Sequence, residues 1–219
     1  MADKKLHDAF IDQLRDIYDA EKQTLKVLRK LGKAASSPEL RKTFETHLEE
    51  TQGQVSRLER VFSSFDEKVR GKRCDGIAGL IDEAKSVMDD DFDKPTMDAC
   101  LIAAAQRMEH YEIAAYGTLV VWARSLDKDD VADLLEETLD EERATDELLS
   151  TIAMHDVNQD AADGGDADDE GEDDQNEEDD EEDEAESDKK DKSRRSAARK
   201  SKKASAKAET SKQKARRRR

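Results

Sequence analysis

Four segments of the chain carry apolar residues at helical spacing, and the links between them are short, long and short. That order of lengths leaves few ways to fold. Segments 4–32, 38–65, 95–124 and 129–155 each repeat apolar residues every three or four positions, the period that gathers them on one helix face. The first stripe is Phe10, Leu14, Ile17 with Tyr18, Leu25, Leu28 and Leu31; the second is Leu40, Phe44, Leu48, Val55, Leu58, Val61 and Phe62. The third is Leu101, Ile102, Ala105, Met108, Ala115, Leu119 and Val120; the fourth is Val131, Leu134 or Leu135, Leu139, Leu148 or Leu149, and Ile152. Links 33–37 and 125–128 are so short that they force antiparallel neighbours. Link 66–94 can run the length of a bundle, and it holds a short helical pattern of its own in Ile77, Leu80, Ile81, Ala84 and Met88.

Two hairpins joined by one long crossover is the ferritin-like connectivity of an all-α antiparallel four-helix bundle. Pro38 and Pro95 fall where helices should begin, the position at which the missing N–H of proline costs least. Ser36-Ser37-Pro38-Glu39 offers a hydroxyl cap, then the proline, then an acid near the positive helix end. Gly32 is expected to stop the first helix.

Charge divides the rest of the chain. Residues 1–155 hold 34 acidic and 22 basic side chains, a net of −12, with all five Phe, all three Tyr and the only Trp. Residues 156–188 hold 20 acids and no Lys or Arg, and residues 189–219 hold 16 bases against Asp191 and Glu209, ending Arg216-Arg217-Arg218-Arg219. Only the first region can bury enough apolar surface to offset chain entropy. The chain therefore divides into a bundle over 1–155, an acidic disordered segment over 156–188, and a basic disordered tail over 189–219. Cys74 and Cys100 have neither zinc-ribbon nor redox spacing and read as two free thiols. No apolar run reaches the ~20 residues needed to span a bilayer. No leader-like segment stands at the N-terminus, so a cytoplasmic protein without membrane partners is expected.

The feature that points to chemistry is a set of charges inside the apolar stripes. Glu21 lies on the inward face of the first segment, and His47 and Glu50 follow Phe44 on the second. Glu109 and Glu112 share a row with Ala105, Tyr116 and Leu119 on the third. On the fourth, Glu142 lies midway between Leu135 and Leu149, and Glu141 midway between Leu134 and Leu148, so periodicity leaves both open. Each acid sits near mid-helix, which brings all of them to one level in an antiparallel bundle. An acid beside a stripe is ordinarily its solvated border. Coincidence on four helices at one depth is another matter, because buried carboxylates repel and resist desolvation unless a cation joins them. Carboxylate and imidazole ligands suit iron and manganese. His47-x-x-Glu50 places both ligands on one face. Tyr18 and Tyr116 lie one turn from Glu21 and Glu112, as hydrogen-bond donors to those acids or as core. His110 is a weaker candidate, and His7 and His155 lie at helix ends facing solvent.

The stretches Tyr18-Asp19-Ala20-Glu21-Lys22-Gln23, His47-Leu48-Glu49-Glu50-Thr51, Met108-Glu109-His110-Tyr111-Glu112-Ile113-Ala114-Ala115-Tyr116-Gly117 and Thr138-Leu139-Asp140-Glu141-Glu142 together resemble the bacterial YciE/YciF-like ferritin-like family over residues 5–155. The resemblance implies a ferritin-like bundle, usually a homodimer, with a dinuclear metal centre and a link to stress responses. It carries the metal ligands onto Glu21, His47, Glu50, Glu109, Glu112 and Glu141 or Glu142. Gly53 and Thr145 stand where ordinary ferritins and rubrerythrins place a second histidine, and the charged tail is not part of the family pattern.

Three functions are consistent with these readings. One is a di-metal oxidoreductase, with two Fe or Mn ions, that oxidises Fe(II) or removes peroxide. Another is a non-enzymatic dimeric stress or interaction protein, and a third is a nucleoid-associated protein whose basic tail, Arg216 to Arg219 included, binds DNA or RNA through its phosphates. No nucleophile elbow, phosphate loop or dinucleotide fingerprint is present.

Overall fold

A computed structural model of the chain describes residues 4–164. Helix α1 is Leu6–Ala34, α2 is Pro38–Ser64, α3 is Asp75–Met88, α4 is Lys94–Ser125 and α5 is Asp129–Ile152. Four of these are the expected bundle helices, and α3 is the short helix expected in the crossover. The basic tail and nearly all of the acidic segment, with Arg216 to Arg219, lie outside the described residues. The fourth expected helix ends near His155, but helical backbone goes on: a wider, π-helical turn at Ala153–Val157 leads into α6, Asn158–Asp163. Val157 and Ile152 are buried, and this extension packs against α4.

The first hairpin turns differently from expectation. Gly32 does not end α1; it is buried within the helix, where a Cβ would lie 3.7 Å from Phe44 Cβ. The helix runs on to Ala34, and Ala35 N–H closes it on Leu31 O. Ser37 then caps α2 by accepting from Leu40 N, with Pro38 in the first turn. Asp98, 2% exposed near the start of α4, accepts from Ser36 N at 2.8 Å, Ser36 Oγ at 2.6 Å and Ser37 N at 2.7 Å. A carboxylate on α4 thus satisfies the free donors of the α1–α2 link and pins that link to the end of the bundle where α4 begins. The cap of α4 itself is Asp93, which accepts from Thr96 N.

The chain leaves α2 and α4 through Asp66 and Asp127, both in the left-handed region at φ 52° and 57°. Asp is one of the few side chains that enters it readily. From there the crossover climbs α1. Phe65 packs on Phe10, Arg15 pairs with Glu67 at 2.8 Å, Lys72 N donates to Arg15 O, and Cys74 N donates to Asp19 Oδ2. Gly76 then brings α3 onto α4 so closely that a Cβ would stand 2.7 Å from the Tyr111 ring. The Tyr111 hydroxyl donates to Asp16 Oδ2 and lies 2.9 Å from Cys74 Sγ. Cys74 and Cys100 are both free thiols, as expected.

In the bundle α1 packs on α2 and α4, and α5 packs on α4 and α2. Contacts of Glu21 and Thr24 with Tyr116 and Glu112 run antiparallel between α1 and α4, as do those of His47, Gln54 and Arg57 with Thr145, Glu141 and Thr138 between α2 and α5. The core between them holds Phe10, Leu14, Leu28, Phe44, Leu58, Phe62, Leu101, Leu119, Leu135 and Leu149, all at most 2% exposed. Each such side chain contributes about 1.5–3 kcal/mol through burial. Among the described residues no helix is long and apolar enough to cross a membrane.

Candidate metal centre

At mid-bundle the apolar layers give way to a buried polar one. Glu21 from α1, His47 from α2, Glu109 and Glu112 from α4, and Glu142 from α5 are each 0–2% exposed. His47, Glu109, Glu112 and Glu142 each present one ligand atom, and these atoms all lie within 4.8 Å of one another. His47 Nε2 is 3.3 Å from Glu109 Oε1 and 3.6 Å from Glu142 Oε2, with no aligned hydrogen bond.

The other expected residues take outer positions. Glu50 Oε2 lies 3.6 Å from His47 Nδ1, but its side chain is 39% exposed, so it borders the layer from the solvent side. Of the two acids that periodicity left open, Glu142 enters the layer. Its row, Leu135, Glu142 and Leu149, is buried throughout, whereas Leu148 on the other row is 44% exposed. Glu141 turns instead to Arg57, which grips it through Nη1 at 3.0 Å and Nη2 at 2.8 Å. His110 is exposed and pairs with Asp146 at 3.2 Å. His7 and His155 are exposed, as expected. The two tyrosines part ways: Tyr116 donates to Glu21 Oε1, while Tyr18 donates to Glu59 and packs on Phe62, away from the acids.

Burial and crowding reshape the acid–base behaviour of this layer. Desolvation raises the Glu21 carboxyl to about 7, against the Tyr116 hydrogen bond, which favours its charge. Desolvation, then the neighbouring Glu21 and Glu109 charges, push Glu112 well above the usual range. Glu142 is pushed up by desolvation and then by Glu112. Burial alone would keep His47 neutral, but Glu109, Glu50 and Glu142 outweigh it and push the imidazole well above its ordinary value.

Hydrogen bonding does not account for all of these groups. Glu21 Oε2, Glu109 Oε2, Glu112 Oε2, both oxygens of Glu142 and His47 Nε2 are buried without a hydrogen-bond partner. Each orphaned buried acceptor costs about 1–3 kcal/mol, and more when charged. Converging oxygens with one imidazole nitrogen are the donor set of a hard or borderline divalent cation. A cation would supply the charge that the carboxylates lack, so the residues fit a metal. An ion held by His47 Nε2 would leave Nδ1 as the outward nitrogen, which faces Thr145 Oγ1 at 3.3 Å and Glu50.

Thr24, Thr145 and Arg57 also shape the layer and carry no motif in the sequence. Thr24 and Thr145 are buried polar residues at i+3 from Glu21 and Glu142, and that spacing was the only signal available.

A long-crossover helical bundle with a carboxylate-rich polar layer at its centre defines the ferritin-like class. Within that class, residues 5–162 match the model of a family described as a domain of unknown function, DUF892, and the chain belongs to this YciE/YciF-like family. Protein YciF of Escherichia coli (strain K12) is 45% identical over 159 residues, which is 72% of this chain and 96% of that protein. The crystal structure of the E. coli stress protein YciF aligns with a TM-score of 0.69, covering 72% of this chain and 99% of that one. YcfI of Rhodopseudomonas palustris aligns with a TM-score of 0.67 at 42% identity, covering 69% of this chain and 96% of that one.

Proposed function

We propose that this chain is a stress-related ferritin-like protein whose polar layer holds two iron or manganese ions and uses them to oxidise Fe(II) or remove peroxide. The observation that carries this reading is the set of buried carboxylate oxygens without hydrogen-bond partners around His47 Nε2. Glu21, His47, Glu109, Glu112 and Glu142 hold the ions, and Glu50 completes the set from the solvent side. A redox-active pair supplies one-electron steps that no side chain in the layer provides alone. The family resemblance to a protein described as a stress protein supports the physiological setting.

The test is metal content by plasma mass spectrometry on full-length protein purified without chelator. About two ions per chain are expected, by the general stoichiometry of di-metal bundles. Loss of both in Glu142→Gln, with Fe(II) oxidation by the native protein, supports the reading. Less than a tenth of an equivalent after anaerobic Fe(II) loading sinks it.

A second reading is favoured by Gly53 and Thr145, which stand where a second histidine would complete a ferroxidase-type set. It makes the bundle a homodimeric interaction protein with a structural ion or none. A third belongs to the tail: 16 bases in residues 189–219 would bind DNA nonspecifically, with the acidic segment competing for them. A gel shift at ~150 mM salt compares the full chain with one truncated after Gly164; equal binding by both removes the tail from the account.

A further inference from the structure

The polar layer distributes its donors unevenly, and the pattern is reciprocal. On α1, Glu21 and Thr24 are three residues apart; on α4, Glu112 and Tyr116 are four apart, so each pair shares a helix face. The hydroxyls reach across rather than along their own helices. Thr24 Oγ1 on α1 donates to Glu112 Oε1 on α4 at 3.0 Å, and the Tyr116 hydroxyl on α4 donates to Glu21 Oε1 on α1. Thr24 is 1% exposed and Tyr116 0%. Neither hydroxyl can turn to water, so each is committed to its carboxylate.

This bracing divides the carboxylate oxygens into two classes. Glu21 and Glu112 each have Oε1 held by a hydroxyl and Oε2 without a partner; Glu109 has Oε1 against His47 Nε2 at 3.3 Å and Oε2 without one; Glu142 has both oxygens without one. A carboxylate with one oxygen tied to a buried hydroxyl can rotate toward a cation only by breaking that bond. We propose that Thr24 and Tyr116 are positioning residues that restrict Glu112 and Glu21 to one metal-facing oxygen each, leaving Glu142 as the carboxylate that would offer both oxygens to a cation. This rests on the reading of the layer as a metal centre, and it gives the α1–α4 wall the task of fixing coordination number.

Cobalt(II) titration of the full chain, stripped of metal, tests this, because visible cobalt absorption weakens as coordination number rises. Tyr116→Phe deletes one oxygen and keeps the ring; Thr24→Val deletes the hydroxyl at similar volume; Thr24→Ser keeps it. Native protein and Thr24→Ser should share one spectrum. Tyr116→Phe and Thr24→Val should bind the same number of cobalt ions with weaker visible bands and about tenfold lower affinity, the usual scale for losing a ligand's outer partner. Glu142→Gln should lose more affinity than Glu21→Gln or Glu112→Gln. Spectra and affinities of Tyr116→Phe and Thr24→Val that superimpose on the native ones overturn the proposal, with far-UV circular dichroism melts verifying that each variant is folded. Native protein that takes up no cobalt removes the metal-centre reading itself, and the positioning roles with it.

Discussion

The two walls of the polar layer are built on opposite plans. Between α1 and α4, among the described residues, the hydrogen bonds to acids of the layer come from two buried hydroxyls, Thr24 and Tyr116, and from no basic side chain. Between α2 and α5, a guanidinium organises the outer acids. Arg57 grips Glu141, reaches Glu137 at 2.7 Å and donates to Thr138 at 2.6 Å, and Gln54 Nε2 adds a bond to Glu141. Yet Glu142, one residue further along α5, receives no donor at all. The α1–α4 wall holds its acids in place without neutralising them. The α2–α5 wall turns its guanidinium to the acid facing out and leaves the acid facing in with only the His47 imidazole, 3.6 Å away and shared with Glu109, as a countercharge. Four buried acids facing one imidazole leave the layer short of positive charge, the deficit that the proposed cation would offset.

The sharpest way to break this comparison is to neutralise the acid facing in. Glu142→Gln keeps the shape and removes the charge that a cation would need. Metal affinity should fall by about two orders of magnitude, the upper range for altering a metal site, while the metal-free protein becomes more stable, on the order of 1 kcal/mol or about 2–4 °C in Tm. Opposite signs for binding and stability are the signature of a group retained for function. A variant that loses stability without metal would mean that Glu142 is a structural element.

Acidity offers a second lever. Glu21 titrates at about 7 in the fold against 4.5 when free. Between those values the folded chain holds a proton that the unfolded chain has released, so folding stability falls as pH rises. His47, also raised, acts in the same direction: the stability it contributes is present below its unfolded value and is lost as pH climbs through its folded one. Glu112 and Glu142, raised by the same burial, act in the same direction, and Glu21 alone accounts for a loss on the order of 3 kcal/mol in the metal-free protein between about pH 4.5 and 7. Metal should restore stability at the upper end, because ligands bind deprotonated. Calorimetric scans at several pH values, with and without Mn(II), measure this. A metal-free Tm that climbs through the window would contradict it.

The α1–α4 wall depends in turn on how its helices are held at their ends. Asp98→Ala would strand two backbone N–H groups and a hydroxyl in a region where Asp98 itself is 2% exposed. The expected loss is about 2–3 kcal/mol by denaturant titration. If the wall is as rigid as its hydrogen bonding suggests, metal stoichiometry should survive. A stable Asp98→Ala protein with a disturbed metal count would show that the end clamp sets the register of Glu21 against Tyr116.

The sequence carried the helices and the layer, because both are recorded in spacing along single helices. Glu21, His47, Glu109 and Glu112 each declared themselves by interrupting an apolar row. What spacing could not record was rotation between helices. Glu141 and Glu142 are both flanked by leucines seven residues away, and what separates them is which row the neighbouring helices cover, with Arg57 of α2 meeting Glu141. Leu25 belongs to the expected stripe yet is half-buried, while Val27 and Thr24 are the buried neighbours. Leu14, Leu28 and Leu31 are fully buried, so the face is the expected one; Leu25 lies at its edge, and Thr24 beside it is the residue that reaches Glu112. Tyr18 and Tyr116 looked equivalent, each one turn from an acid, but their hydroxyls are decided by partners 41 and 95 residues away in sequence. Gly32 carried a stop signal, yet the helix runs one half-turn further and closes at Ala35 on Leu31 O.

The smallest expected effect is the one that tests whether the two walls are independent. Arg57→Met removes the guanidinium fork from Glu141 and Glu137 but keeps an apolar side chain against the α2–α5 contact. Glu141 is 27% exposed and Glu137 59%, so both can recover water when the fork is lost. A loss of about 1 kcal/mol is the expected scale for such a partly solvated pair. Buried Thr138 loses the donor to its Oγ1, while Gln54 keeps its bond to Glu141, and the loss at Thr138 keeps the effect from vanishing. Because Arg57 makes no hydrogen bond to Glu21, Glu109, Glu112 or Glu142, metal content and the cobalt spectrum should not change. Calorimetry on the variant measures the first quantity and a cobalt titration the second. A variant that melts normally but binds half the metal would mean that Glu141, once released, swings into the layer and competes for the ion. The outward grip of Arg57 would then be part of the centre's specificity and no longer only a brace.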